Sequence, residues 1–267
     1  MKNTDNLDTI CGALCYAMGI DAPTQAASPN EVLCRYVDES LSGKKVSRIF
    51  MYNPDAIAQW VYEKYSHMFK EATKHRDIEI PLCTVMPSVT PVCFGTMYTG
   101  AQPEVHGIQR YAKPIISIDT IFDAMVRNRK KAAIVSISYA SMSKIFLARE
   151  IDYYIYDTVE AANAKVCELI IQDQYDFIAV YNGNYDTYMH KFGPESHEAL
   201  GELRCNVQTY GMFCELIEAH WKSHDTLIGF AMDHGCHEID GNSGSHGLDM
   251  EEDLNITHLY KVKKAAE

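Results

Sequence analysis

The chain has no cysteine pair at C-x-x-C spacing, no apolar run long enough to cross a bilayer, and too few bases to balance its acids. Each shortage excludes something. The nine cysteines are an odd number, and Cys11 and Cys15, four apart, suit one face of a helix better than a zinc knuckle. Cys83, Cys167 and Cys214 lie in apolar runs, where a thiol behaves as a small hydrophobe. The set reads as the reduced thiols of a cytoplasmic protein. The opening MKNTDNLDTICGALCYAMGI has acidic residues before a brief apolar stretch, without a basic start or a small-x-small cleavage site, so neither a signal peptide nor an anchor, and no membrane role, is expected. Lys plus Arg is 24 against 36 Asp plus Glu, a net charge of −12. That balance argues against an extended nucleic-acid groove, which needs clustered positive charge. It does not argue against a small phosphate substrate, because bound cations can reverse the potential locally. Repeats, low-complexity tracts and linkers are also missing. A single α/β domain over 1–267 is expected, with 1–45 a helical N-terminal extension and no cap domain.

What is present is an alternation of apolar strand-like runs and helical segments. Helices are expected at 6–18 and 30–42, the second after Ser28-Pro29-Asn30. VSRIFMYN (46–53) is the first strand, followed by Asp55 and a helix through about Phe69. IEIPLCTVMP leads to Thr90 and a helix start at 91–99. Further helices are expected near 119–129, 141–148, 158–173 and 196–222, and further strands at AAIVSIS, IDYYIY, DFIAVYN and TLIGFAM (226–232), the last clear one. The order implies a three-layer αβα sandwich around a mostly parallel sheet. In such sheets ligands sit beyond the carboxyl ends of the strands.

Those ends carry a pattern. Asp55 follows the first strand, Thr90 the second, Asp186 and His190 follow DFIAVYN, and Asp233-His234 follow TLIGFAM directly; the Gly-rich GNSGSHG then presents His246. Carboxylates and neutral imidazoles are the usual ligands of zinc-like cations, and a site for two needs about six or seven donors. Asp186 and His190, at i and i+4, share a face on one helical turn. Threonine is a poor nucleophile at neutral pH, so Thr90 would need a cation, and the mouth of a helix, beside it. Singly, each residue has an ordinary reading: Asp55 as a helix cap, Thr90 as a turn residue, Asp186 and His190 as a solvated pair. The conjunction at one sheet edge is what points to chemistry. His106, His197, His220, His224, His237 and His258 lack that support and read as structural or surface residues; Cys236, beside His234, is set aside because donors already suffice.

At these residues the sequence resembles the alkaline phosphatase superfamily, nearest to its type I phosphodiesterase/nucleotide pyrophosphatase branch. MPSVTPVCFGTMYTGAQPEVHGI (86–108) is similar to that family's nucleophile segment, DTYMHKFGPES (186–196) to its D-x-x-x-H-x-x-GP-x-S motif, and MDHG and SHG to its later metal motifs. The resemblance implies one cation held by Asp186, His190 and His246, and another by Asp55, Asp233 and His234, with Thr90 facing both. Two zinc ions are implied, with manganese used by phosphomutase relatives. Also implied is a two-step hydrolysis through a phosphothreonine on Thr90. The sequence departs from the family after HGI, where many diesterases carry an Asn that binds a phosphate oxygen; here Gln109-Arg110-Tyr111 stands, with Tyr111 at that position and Arg110 or Lys113 as alternative substrate-binding groups. The expected function is a phosphodiesterase or nucleotide pyrophosphatase acting on a small phosphate ester. A phosphomonoesterase or phosphonate hydrolase on the same core is the alternative, and a non-catalytic binding protein the remaining one.

Overall fold

A computed structural model describes residues 1–266. The main sheet has seven strands: β1 (Arg48–Pro54), β2 (Ile78–Cys83), β3 (Ala132–Ile137), β4 (Asp152–Tyr156), β5 (Phe177–Asn182), β6 (Thr226–Phe230) and β9 (Asn255–Lys263), in the order β2-β9-β6-β1-β5-β3-β4. A separate hairpin joins β7 (His237–Ile239) to β8 (Ser243–Ser245). β4, β3, β5, β1 and β6 pair in parallel, while β9 runs antiparallel to both β6 and β2. The mostly parallel sheet read from the sequence is therefore the observed one.

Alternation along β1 shows how both faces are covered. Phe50 and Tyr52 turn to one side, with Phe213 of the helix His197–His220 at 5.7 and 5.9 Å between ring centroids. Asn53 turns to the other and accepts a 2.8 Å hydrogen bond from the hydroxyl of Tyr98, in the helix Thr90–Thr99. A strand buried on both faces has no polar side, which is why β1, β5 and β6 read as nearly continuous apolar runs.

Residues 1–45 pack into the same core. The amide of Leu7 donates to the Cys83 carbonyl (3.0 Å) and that of Cys83 to Asp5 (2.7 Å), so the chain start covers the outer edge of β2. The first helix consequently begins at Thr9 and not at 6. The helix expected from Asp55 to Phe69 is broken into Gln59–Lys64, a 3-10 turn Ser66–Phe69 and Lys70–Thr73, and the one expected at 141–148 shortens to Met142–Ile145. β9 and the hairpin are additions to the expected elements. Among the described residues no cysteine is bridged, and no helix is long and apolar enough to cross a membrane.

Candidate metal centre

Neighbouring strands deliver neighbouring candidate ligands. β1 and β6 are adjacent, and Asp55 and Asp233 lie just past their carboxyl ends. Asp233 Oδ1 accepts the amides of Ala56 (3.1 Å) and His234 (2.9 Å), which ties the two strand ends together. On the other side of β1, the Asp55 amide donates to the Asn182 carbonyl at the end of β5 (3.0 Å). β5 leads into the helix Asn184–Phe192, which carries Asp186 and His190. His246 follows β8, and the hairpin closes onto that helix at Gly244: a Cβ there would lie 2.3 Å from Met189 Sδ, so only glycine permits the approach. Thr90 opens the helix Thr90–Thr99, with Pro91 supplying a helix-compatible φ behind it.

Two triads result. Asp55, Asp233 and His234 each offer an atom within 4.8 Å of the others, as do Asp186, His190 and His246. In the first, His234 Nε2 lies 3.2 Å from Asp55 Oδ1 and 3.4 Å from Asp233 Oδ2. In the second, His190 Nε2 and His246 Nε2 are 3.0 Å apart, each 3.3 Å from Asp186 Oδ1. Thr90 Oγ1 is 3.3 Å from Asp55 Oδ2 and from His234 Nε2. Asp55 is not a helix cap: it is buried, and the next helix starts at Gln59 after Ala58.

The donor chemistry fits divalent cations. Each imidazole has its Nδ1 against a backbone carbonyl: His190 to Gly244 (2.9 Å), His246 to Ser88 (3.0 Å), His234 to Gly235 (2.9 Å). A carbonyl only accepts, so each Nδ1 donates, and in the neutral ring Nε2 presents a bare lone pair. Three such lone pairs face carboxylate oxygens or one another, an arrangement that repels unless a positive charge lies between them. Asp186 Oδ1 and Asp233 Oδ2, one in each triad, are buried without a hydrogen-bond partner. A proton on His234 Nε2 is the smallest positive charge that can fill that place. Burial pushes the His234 imidazole down, yet the Asp233 and Asp55 carboxylates beside it raise it to about 10. Burial, reinforced by Asp55, pushes the Asp233 carboxyl well above its usual range. At Asp186 burial acts upward but is overcome by His190 and His246, which hold the carboxyl below the usual range. A field that binds a proton this firmly between two carboxylates also binds a cation.

The structure thus brings together Asp55, Thr90, Asp186, His190, Asp233, His234 and His246. It does not bring Arg110, Tyr111 or Lys113 into contact with them: Arg110 and Tyr111 are exposed, and Lys113 Nζ donates to the Tyr139 carbonyl (2.5 Å) above the Tyr111 ring. Cys236 is buried, with Sγ 3.9 Å from the Tyr185 hydroxyl. His106 and His258 are core histidines, both lowered to about 4 by burial. Two neighbours of the site escaped the sequence reading. The Tyr181 hydroxyl donates to Asp55 Oδ2, although in DFIAVYN it reads as one more strand residue. Buried Asp253 grips the loop carrying His246, with Oδ1 2.7 Å from His237 Nδ1 and Oδ2 accepting from the Leu248 amide (2.8 Å).

No protein-family description matches the chain, and no curated protein sequence does. Solved structures do. Murine ectonucleotide pyrophosphatase/phosphodiesterase 5, an inactive variant in complex with AMP, superposes with a TM-score of 0.56 at 14% identity, over 73% of this chain and 58% of that one. The human protein gives 0.56 and 14%, over 72% and 58%. The chain has the alkaline-phosphatase-like fold of the nucleotide pyrophosphatase/phosphodiesterases. It spans less than two thirds of the length of these structures.

Proposed function

We propose that the chain is a two-cation phosphodiesterase of the nucleotide pyrophosphatase type, with Thr90 as its nucleophile. The observation that carries this is the placement of Thr90 Oγ1 at 3.3 Å from both Asp55 and His234, beside a second complete triad. The similarity to a murine protein that is inactive when a threonine is replaced by alanine, and whose structure holds AMP, supports the same reading. Asp55, Asp233 and His234 would hold one cation and Asp186, His190 and His246 the other; zinc suits the Asp/His set, with manganese as the alternative. When bound, the cations offset the charge of the phosphoryl group and acidify a hydroxyl beside them. Thr90 gives its proton to solvent, its Oγ1 attacks phosphorus, and the bond to the leaving oxygen breaks as the Thr90 O–P bond forms, the departing oxygen taking up a proton from water. Water then cleaves that ester, returning the Thr90 hydroxyl and releasing phosphate product. The N-terminus of the helix Thr90–Thr99 stabilises negative charge at the attacking oxygen. The nine unbridged thiols support the cytoplasm as the compartment.

Hydrolysis of p-nitrophenyl phosphate and bis-p-nitrophenyl phosphate, after chelation and re-addition of zinc or manganese, tests the proposal. Metal-restored turnover favouring the diester is expected. A preference for the monoester would move the assignment to a phosphomonoesterase, and no turnover of either with both cations bound would count against catalysis.

A further inference from the structure

The two triads are built to different specifications. Asp55, Asp233 and His234 follow adjacent central strands and have side-chain exposures of 1%, 0% and 0%. Their backbone is held by the Ala56, His234 and Asp55 amide hydrogen bonds described above. Asp186 and His190 instead ride on a nine-residue helix outside the sheet, and His246 on the loop after a three-residue strand. There the exposures are 19%, 43% and 7%. The charges differ as well: two carboxylates offset a divalent cation fully, whereas one carboxylate leaves it a net positive charge. A cation leaves a site through water or a competing ligand that reaches it, and His190, with Asp186 behind it, offers that approach while the buried triad does not.

We propose that the cation at Asp186, His190 and His246 is exchangeable while the one at Asp55, Asp233 and His234 is retained, so that metal supply switches the protein between two-cation and one-cation forms. This rests on the two-cation reading of the site and adds an order of loss and a control point to it. Thr90 contacts the retained triad, so the one-cation form keeps its nucleophile in place and lacks the second cation. Availability of the metal then gates turnover without disturbing the buried half of the site.

The test is a metal count. Protein loaded with zinc is exposed to a chelator for timed intervals, passed through a desalting column, and its zinc measured by mass spectrometry. Two phases are expected, one equivalent leaving at least about tenfold faster than the other. His190→Ala should remove the fast equivalent and keep the slow one, and Asp233→Asn should speed loss of the slow one, with circular dichroism checking that each variant is folded. Loss of both ions at one rate overturns the proposal, and so does a fast phase that survives His190→Ala. Wild-type protein that binds no zinc or manganese overturns the two-cation reading itself, a result distinct from either.

Discussion

Thr90 shows how little one side chain reveals alone. In the sequence it is a polar residue before a proline; in the structure it is buried at the head of a helix, with its hydroxyl among Asp55 and His234. On the proposed mechanism, removing the hydroxyl deletes the attacking atom and leaves the Asp and His side chains of both triads intact. Thr90→Ala is therefore expected to lower kcat on the order of 10⁴-fold or more, as when a covalent nucleophile is deleted elsewhere. Bound metal, counted after gel filtration, should stay at two equivalents. Turnover near the wild-type level in that variant would exclude the covalent route. The candidate ligands could be picked out of the sequence because Asp55, Asp233 and His234 follow the ends of apolar strands, Asp186 and His190 stand one turn apart after another, and His246 closes a Gly-rich loop. Tyr181 was not legible, because a tyrosine inside a buried strand looks the same whether its hydroxyl meets solvent, core or, as here, the Asp55 carboxylate. The positions of Arg110, Tyr111 and Lys113 were not legible either: motif spacing sets their place along the chain, while the course of an exposed loop sets where they point.

At the scale of elements, the strands that could be read were those whose burial left a continuous apolar run. β9 broke that rule. It is buried over almost its whole length, yet NITHLYKVK carries Asn255, Thr257, His258, Lys261 and Lys263. Their polar groups find partners that no local pattern announces: His258 Nε2 with the Met232 carbonyl (2.7 Å), Lys263 Nζ with Trp221 (2.7 Å), Lys261 with Glu218 (2.9 Å). The hairpin was missed because its strands have three residues each, below the length at which period-two alternation registers. Yet this hairpin presents His246, and Asp253 braces it at both ends of the segment from His237 to Leu248. Asp253→Ala would free His237 and leave the Leu248 amide without its acceptor. Cation affinity at the Asp186, His190 and His246 triad should fall about 10–100-fold, the usual effect of losing an outer support of a ligand. The other cation should be held as before. A titration with zinc that shows two unchanged sites would remove Asp253 from the machinery of the site.

At the scale of the whole molecule, burial that keeps two core histidines neutral makes stability sensitive to acid. His106 and His258 lie in different parts of the core, and burial lowers each to about 4. His258 Nε2 donates to the carbonyl of Met232, the residue before Asp233, so the ring must keep Nδ1 as an acceptor for the Tyr260 hydroxyl (2.9 Å). The unfolded chain takes up protons at these rings below about pH 6.5, while the folded chain does so only near pH 4. Between those values the unfolded state binds more protons, so stability falls as pH falls, by up to about 1.4 kcal/mol per pH unit for each ring. The loss begins well above the pH at which unfolded carboxylates titrate, so acid should weaken this protein before its ion pairs break. Urea midpoints at pH 7 and pH 5, with the protein saturated by the same cation, should therefore drop more for the wild type than for His258→Gln, which starts less stable but has one fewer ring to protonate. Equal drops would mean that His258 is protonated in the folded state over this range, and its hydrogen bonds to Met232 and Tyr260 would then need a different assignment. A larger drop in the wild type would instead tie the acid sensitivity of the whole sheet to β9, the strand that fixes the carbonyl next to Asp233.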